Sequence, residues 1–529
     1  VLEAPLDGYT STAANELVAY LMRMSGRPWR VVQGLSLDRA VRLKLDPAVA
    51  TPGSAGTETV RTEISPAGIT ITGASPVAVR HGAYLLLESL GVRWYFSNPA
   101  WEVVPAALRD PVLGITVRTP RYFERRLSNP IGYLVADAAN GQLKWEAWER
   151  HNCLPSDKLY EIRHSWSDFF NRQALAAADP TSVCYVPTST LPRQVIASHP
   201  LVVQTALAYA RTRIALPTPA GPLGEALTRM AVPISPEDGA TIFECEYYAP
   251  GSITNVQLIT DEVFRLANTV AEQLAAEFPG KMAAVLSYSW YSRLPNFPLS
   301  PNLIVQCTDF VRSPTPGQEA LAARVQAFKA TGAQVGTYLY LDVWPWWRDR
   351  IDPPGKFAGH VAQVRESRDL DVGHFAGEIS DGWGAKGRLY WLAARSAWEP
   401  AFDPDALLDD FYTHAFGLAK LPMERYWRRL DDSGPTAIAY PLAFKALHEA
   451  LGLAGDAAVR ARIRHVILYT YFWWRWSNTV EGIGDGLAGV NRAAIEALYV
   501  FAQRVRREAI IVARQHWDAC AAYLQARYG

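Results

Sequence analysis

The stretch Gly336-Thr337-Tyr338-Leu339-Tyr340-Leu341-Asp342 shows the pattern that decides the fold, a short apolar run that ends in an acidic residue. The same pattern returns at Val372-Gly373-His374-Phe375-Ala376-Gly377-Glu378. Short apolar runs bounded by polar clusters are typical of strands buried on both faces of a parallel sheet. Further runs of this kind on both sides of these two define the architecture.

Eight strand candidates of this type lie between residues 119 and 400, and helical patterns such as Asp261–Phe278 and Gln318–Thr331 separate some of them. This alternation predicts a TIM-like (β/α)8 barrel, an α/β fold. An open doubly wound sheet is the less favoured alternative, because no Gly-rich phosphate loop follows the first strand. The candidates are Tyr122–Leu127, Leu159–His164, Ser182–Val186, Met230–Ile234, Ala283–Tyr288, Asn302–Thr308, Gln334–Leu341 and Val372–Ala376.

Two further domains flank the predicted barrel of residues 119–400. Residues 1–118 predict a small α/β domain with a helix that ends at Gly26, a strand over Ala40–Leu45, a hairpin and a second helix that ends at Gly91. Residues 401–529 read as a helical C-terminal region. Its predicted helices are Pro404–Ala415, Pro422–Asp432, Pro441–Leu453, Ala457–Ser477 and Asn491–Tyr528.

The composition excludes some classes of protein and favours a carbohydrate partner. The 529 residues carry 52 Lys+Arg against 52 Asp+Glu, and a neutral chain does not suit nucleic-acid binding. No apolar run approaches the roughly 18 residues that a membrane-spanning helix needs. The 18 Trp, 24 Tyr and 18 Phe offer rings that stack on sugars. The oligomeric state stays open, with a homodimer among the alternatives.

The cysteines and the N-terminus bear on cofactors and location. None of the five cysteines forms a CxxC pair or fits a zinc spacing, so we predict no metal and no cofactor and interpret the cysteines as buried small hydrophobes. Val1-Leu2-Glu3-Ala4-Pro5 has no signal-peptide pattern. That fits a cytoplasmic protein or a chain without its signal, and we predict a secreted or periplasmic protein. The cysteines are Cys153, Cys184, Cys245, Cys307 and Cys520.

Carboxylates at strand ends are the candidates for chemistry, because barrel enzymes place reactive groups at the carboxyl ends of their strands. Glycoside hydrolysis needs one protonated carboxyl and a second group that activates water, attacks directly or orients a substrate acetamido group. We predict Asp238 as general acid and Glu378 as base, nucleophile or orienting carboxylate. Asp309, a third strand-end carboxylate, is interpreted as a helix cap.

Other side chains near these strand ends are predicted to bind the sugar. Some would tune charge or bind hydroxyl groups, and aromatic rings would stack on the sugar face. Arg150 and Arg348 are candidates for pairing with a sugar carboxylate. The aromatic run Tyr469–Trp476 is interpreted mainly as a buried helix, with a substrate platform as the alternative. The predicted binding residues are Glu237, Asp342, His164, Arg150, Tyr288, Tyr340, Trp344 and Trp383.

Several segments resemble known carbohydrate enzymes. Gly68–Gly73, Gly82–Glu88 and Gly91–Tyr95 resemble the small α/β domain that precedes the barrel in α-glucuronidases and β-hexosaminidases. Later segments resemble the barrel of glycoside hydrolase family 163, which includes endo-β-N-acetylglucosaminidases. These segments are Trp148–Asn152, Arg163–Trp166, Ser235–Gly239, Asn302–Cys307 and Trp398–Pro400, with the helix at Leu407–Tyr412.

The resemblance implies a glycoside hydrolase, with an N-acetylhexosaminidase-type enzyme as the leading reading. The hexosaminidase pattern has an Asp-Glu pair at the fourth strand, where this chain has Glu237-Asp238. An α-glucuronidase-like arrangement, with an acid on the fourth strand and a base late in the barrel, fits Asp238 and Glu378 as well. A uronic-acid-specific glycosidase and a non-catalytic carbohydrate-binding barrel therefore remain alternatives.

Overall fold

The computed structural model describes residues 1–3, 7–34, 40–52, 54–128, 138–155, 160–216, 229–239, 242–309, 320–342, 353–379, 383–399, 401–479, 492–505 and 525. Its strands are β1 (Ala40–Leu45), β2 (Val60–Ser65), β3 (Gly68–Gly73), β4 (Arg93–Trp94), β5 (Glu102–Val103), β6 (Gly114–Arg118), β7 (Glu124–Ser128), β8 (Val183–Tyr185), β9 (Pro192–Val195), β10 (Ala231–Pro233), β11 (Met282–Ser287), β12 (Leu303–Asp309), β13 (Gln334–Tyr340) and β14 (His374–Glu378).

The α-helices of the described residues surround these strands and continue beyond them. They are α1 (Gly8–Ser25), α2 (Pro76–Ser89), α3 (Ala138–His151), α4 (Trp166–Phe169), α5 (Arg172–Ala178), α6 (Pro200–Ala215), α7 (Val256–Glu277), α8 (Leu321–Ala330), α9 (Lys356–Asp369), α10 (Trp383–Ser396), α11 (Pro404–Phe416), α12 (Lys420–Ser433), α13 (Ala439–Leu453), α14 (Ala457–Thr479) and α15 (Arg492–Val505).

Within the predicted N-terminal unit, residues 1–118, a four-stranded sheet has the order β1-β3-β2-β6, and α2 packs against it with α1 lying on α2. Asp7 caps the start of α1, and Gly26 ends it in the left-handed conformation at φ 64°. The predicted hairpin is β2 paired antiparallel with β3. The two helices, the strand and the hairpin predicted here are therefore confirmed, whereas β6 was not predicted.

The central sheet has the strand order β10-β11-β12-β13-β14-β7 and is parallel throughout. Parallel bridges from Tyr160 to Ala231 and from His164 to Ser235 add a segment at its β10 edge. Arg126 of β7 donates to the carbonyl of Ile162 in this segment over 3.0 Å. The sheet is thus curled so that its two edges approach each other, whereas a complete (β/α)8 barrel remains a prediction.

One predicted barrel strand lies outside the central sheet. The segment Ser182–Val186 contains β8, but β8 pairs antiparallel with β9 in a separate two-stranded sheet. The connection over residues 186–191 explains this difference, because a parallel crossover needs about a dozen residues or more. The placement of this strand in the barrel was wrong.

The cysteine interpretation was correct for two residues and wrong for two others. Cys153 and Cys307 are buried thiols, and burial raises the pKa of each to about 12. Cys184 of β8 forms a disulfide with Cys245, which lies shortly after Asp238 along the chain. Cys520 lies outside the described residues.

The C-terminal helices α11 to α14 pack against one another and against the N-terminal unit. Phe472, Trp473 and Trp476 of α14 are buried, as predicted for a packed helix. Trp101 of the N-terminal unit donates to His465 Nδ1 of α14 over 3.2 Å. Among the described residues, no helix combines the length and the apolar character that crossing a membrane requires.

Candidate active site

The register of β13 and β14 brings Glu378 together with two tyrosines. Tyr340 lies beside Glu378 and Tyr338 beside Ala376 in this parallel pair. Because side chains alternate along a strand, Tyr338, Tyr340 and Glu378 share one face of the central sheet. Tyr338 Oη donates to Glu378 Oε2 over 2.8 Å, and Glu378 is only 7% exposed. Glu378 Oε1 has no hydrogen-bond partner among the described residues.

The surroundings of Glu378 favour its protonated form. Burial raises its pKa most, and the charges of Asp238 and Asp342 raise it further. The hydrogen bond from Tyr338 lowers the pKa, because it stabilises the carboxylate. The balance places the pKa at about 7. Such a carboxyl can hold and release a proton near neutral pH, as general acid–base catalysis requires.

Asp342 follows β13 and is fixed by two side chains of α10. Tyr390 Oη donates to Asp342 Oδ2 over 2.6 Å, and Lys386 Nζ lies 3.5 Å from Oδ1. All three residues are buried. Sequence reasoning missed Lys386 and Tyr390, although their i,i+4 spacing on a helix directly after Glu378 places them on one helix face.

Asp238, beyond the end of β10, is bound by Tyr288, which follows β11. Tyr288 Oη donates to Asp238 Oδ1 over 2.9 Å. The ring of His164 lies edge-on to Tyr288, with 5.3 Å between the ring centroids. His164 Nδ1 donates to the carbonyl of Pro236 over 2.6 Å. Since a carbonyl only accepts, the neutral ring carries its proton on Nδ1 and Nε2 is an acceptor.

These two groups of side chains belong to one site, because their charges interact. The pKa of Tyr288 is raised by burial, by Asp238 and by the charge of Glu378. The pKa of Tyr340 is raised by burial, by Tyr288 and Tyr338, and by Glu378. The structure therefore brings together five residues singled out in the sequence, Asp238, Tyr288, Tyr340, Asp342 and Glu378, and adds Tyr338.

Two predicted binding residues have their recorded partners elsewhere. Glu237 pairs with Arg172 and accepts from Gln194 Nε2 over 3.3 Å. Arg150 lies 3.4 Å from Glu16 of α1, and this contact joins α3 to the N-terminal unit. The structure does not show either side chain in contact with Glu378 or Asp238.

One of the two predicted stacking tryptophans does not match the expectation. Trp383 is 1% exposed and packs against Trp148 and Tyr390, with ring centroids 5.1 and 5.3 Å away. A sugar cannot stack on a ring that neighbouring rings already cover, so Trp383 contributes to the core rather than to a stacking surface. Trp344 and Arg348 lie outside the described residues.

Arg126 is a cation of this region that sequence reasoning missed. It lies beside Ala376 in the pairing of β7 with β14, so it shares the sheet face of Tyr338 and Glu378. Its positive charge opposes the rise in the pKa of Tyr338. Among the described residues, its hydrogen bond goes to the carbonyl of Ile162, and no carboxylate lies within ion-pair distance of it. Glu124 and Arg126 are two residues apart, so a strand places both on the same face. This spacing was the signal available in the sequence.

The described ranges contain no group of three or more His, Cys, Asp and Glu side chains placed to bind a metal ion.

Glycoside hydrolases are among the solved structures that are similar to this chain. A chitobiase from Flavobacterium johnsoniae has 11% identity and a TM-score of 0.45, with 98% of this chain and 95% of that chain covered. A family 89 glycoside hydrolase from Clostridium perfringens has 11% identity and a TM-score of 0.46, with 94% and 65% covered. A β-hexosaminidase from Streptomyces plicatus has 17% identity and a TM-score of 0.35, with 78% and 89% covered.

These similarities are too low to assign a family or an activity. No protein-family model matches the sequence, and no curated protein matches it. The resemblance to glycoside hydrolase family 163 stays a prediction.

Proposed function

We propose that this protein is a glycoside hydrolase in which Glu378 is the general acid and Asp238 the second carboxylate. The observation that carries the proposal is a buried carboxyl with a pKa of about 7 that feels the charges of two further acidic residues. Glycosidases use such a pair, one member protonated and the other ionised, on opposite sides of the scissile bond. This exchanges the roles that the sequence predicted for Asp238 and Glu378.

The two oxygens of Glu378 have different hydrogen bonding, and this supports its role as the acid. Tyr338 holds Oε2, so the proton is available on Oε1, which has no partner in the described part of the site. This proton goes to the glycosidic oxygen while the bond from that oxygen to the anomeric carbon breaks. The leaving sugar therefore departs as a neutral alcohol.

Asp238 completes the reaction in one of three ways. As a base it removes a proton from water while the water oxygen bonds to the anomeric carbon. As a nucleophile it forms a glycosyl ester that water then hydrolyses, with Glu378 as base. As an orienting carboxylate it positions a substrate acetamido group whose oxygen attacks the same carbon, and water then opens the cyclic intermediate with Glu378 as base. NMR of the first product separates the single displacement, which inverts the anomeric configuration, from the other two.

The substrate we propose is a glycan that contains N-acetylhexosamine, as the sequence resemblance implies. Inhibition by a thiazoline analogue is the expected result if the acetamido group takes part. Arg126 favours a uronic-acid glycan as the second candidate, because it places a cation without a carboxylate partner, among the described residues, on the face of Glu378. On a uronic-acid glycan, wild-type protein is expected to be more active than R126M. After the sugar carboxylate is reduced to an alcohol, the two proteins are expected to be equally active.

The direct test is a screen for sugars released from a broad glycan panel by wild-type protein and by D238N, E378Q and D309N. D238N and E378Q are expected to lose activity by about 10²–10⁴-fold or more with unchanged circular dichroism. D309N is the matched control, since Asp309 is also a strand-end carboxylate but accepts from Gln363 Nε2 over 2.6 Å. Near-wild-type activity of either D238N or E378Q contradicts the proposal.

A non-catalytic carbohydrate-binding barrel is the competing outcome of the same screen. It is supported if glycans bind tightly while no product is released from any of them.

A further inference from the structure

Arg80 of α2 is a buried cation that the proposed reaction does not use. It is 0% exposed, and Nε, Nη1 and Nη2 of its guanidinium are all buried without a hydrogen-bond partner in the described part of the chain. Its recorded contact is with the ring of Tyr9 in α1, whose centroid lies 4.8 Å from Cζ. A ring face attracts the charge but satisfies none of the five in-plane N–H donors. Arginine is almost never fully buried without a partner.

Two carboxylates contact His81 and Tyr84, which are neighbours of Arg80 in α2, and both are already engaged. Arg80 lowers the pKa of His81 and opposes the rise in the pKa of Tyr84, so it lies within electrostatic reach of both. Next to His81, Glu58 is bound through both oxygens by the guanidinium of Arg125.

The carboxylate near Tyr84 is Glu16. Its Oε2 accepts from Tyr84 over 2.8 Å and lies 2.9 Å from His151 Nε2, while its Oε1 lies 3.4 Å from Arg150. Both carboxylates therefore have partners of their own, and no ion pair of Arg80 with either of them is recorded. Burial, together with the charges of Arg125 and Arg80, holds the pKa of His81 at about 4, so His81 is neutral at pH 7 and adds no charge.

We propose that Arg80 binds a small monovalent anion of halide size between α1 and α2. A single negative charge balances that of the guanidinium, and only a small ion suits a side chain with no exposed surface. The guanidinium is weakly hydrated and presents its donors as a planar fork, which suits a buried anion. The ion stabilises the N-terminal unit and takes no part in glycoside cleavage, so this proposal is independent of the proposed function.

The test combines anomalous diffraction with thermal unfolding. Crystals of the wild-type protein grown in sodium bromide are expected to show a bromide peak within hydrogen-bond distance of the Arg80 guanidinium. In solution, the Tm of wild type is expected to be higher in sodium chloride or bromide than in sodium gluconate of equal ionic strength. R80M is expected to lose this difference. R265M is the matched control, because Arg265 lies 4.6 Å from the Phe297 ring but is exposed.

Each outcome decides the proposal. A bromide peak at Arg80 together with a halide effect that R265M keeps and R80M loses supports it. The proposal is overturned if the bromide map is empty at Arg80, or if R80M and wild type respond equally to halide. If R80M does not fold, the bromide map of the wild-type protein decides alone.

Discussion

Glu378 is the residue at which stability and catalysis oppose each other. Its folded-state pKa of about 7 lies above the ordinary value of 4.5, so the folded protein binds this proton more tightly than the unfolded chain does. The stability from this group is therefore complete below about pH 4.5 and is lost as pH rises through 7. At pH 8 the ionised side chain lies buried near Asp238 and Asp342.

The free energy of unfolding of E378Q at pH 8 is therefore expected to exceed that of wild type. The difference is about 3 kcal/mol at most, because one pKa unit corresponds to about 1.4 kcal/mol. At pH 4.5 the two proteins are expected to be equally stable, since both side chains are then neutral. Urea unfolding at the two pH values measures this. A stability difference that does not change with pH contradicts the assignment of the raised pKa to Glu378.

Tyr338 is expected to set the upper pH limit of activity. Its hydrogen bond stabilises the Glu378 carboxylate and lowers the pKa, so Y338F raises the pKa. The alkaline limb of the kcat/KM profile is then expected to move to higher pH. Y426F is the control, because Tyr426 is a buried tyrosine bonded to Thr470 in the C-terminal helices. An unmoved limb in Y338F excludes this role.

Site residues could be predicted from the sequence only where they stand at the end of a predicted strand. Glu378, Asp238 and Tyr288 each follow an apolar run, and that local signal is visible in one segment. Tyr338 and Arg126 lie inside their strands, and which side chain they approach depends on the register between strands. That register is a long-range property, which the pattern of a single segment does not contain.

Among the elements, the β8–β9 hairpin offers a direct test through its disulfide to Cys245. The bond closes a loop with a sequence separation of 61 residues, which restricts the unfolded chain. C184A/C245A is expected to lower the free energy of unfolding by about 2–4 kcal/mol. Reductant is expected to lower the Tm of wild type but not of the double variant. Equal sensitivity of both proteins to reductant rules out a stabilising bond here.

The elements themselves were more predictable than their partners. The apolar run at Ser182–Val186 does contain a strand, since the local pattern is correct. Its antiparallel partner β9 follows so closely that the hairpin forms in place of a barrel position. The disulfide escaped prediction for a similar reason, because Cys184 and Cys245 are neighbours only after folding.

In the whole molecule, buried ion pairs join the N-terminal unit to the central sheet. Glu58 accepts from Arg125 of β7 over 2.6 Å, and Arg125 is 0% exposed. E58Q leaves this cation without its counter-charge and is expected to cost about 3–5 kcal/mol. Calorimetry is expected to show one unfolding transition, shifted to lower temperature.

R211A is the control for E58Q, because the pair of Arg211 and Glu277 is exposed and is expected to change the Tm little. Two separate transitions in the wild-type protein show that the N-terminal unit unfolds independently. The sequence marked residues 1–118 as a unit of their own, yet its contacts with β7 and α14 could not be predicted, since they join residues far apart in the chain.

The central claim, that Glu378 protonates the leaving oxygen, is tested most directly by varying the leaving group. Alkyl and dinitrophenyl glycosides of the sugar identified in the screen are compared, because a dinitrophenolate departs without acid assistance. E378Q is expected to lose about 10²–10⁴-fold in kcat/KM on the alkyl glycoside and little on the dinitrophenyl glycoside, whereas D238N loses on both. Equal losses of E378Q on both glycosides, with D238N spared on the dinitrophenyl glycoside, would contradict the claim and return the acid role to Asp238.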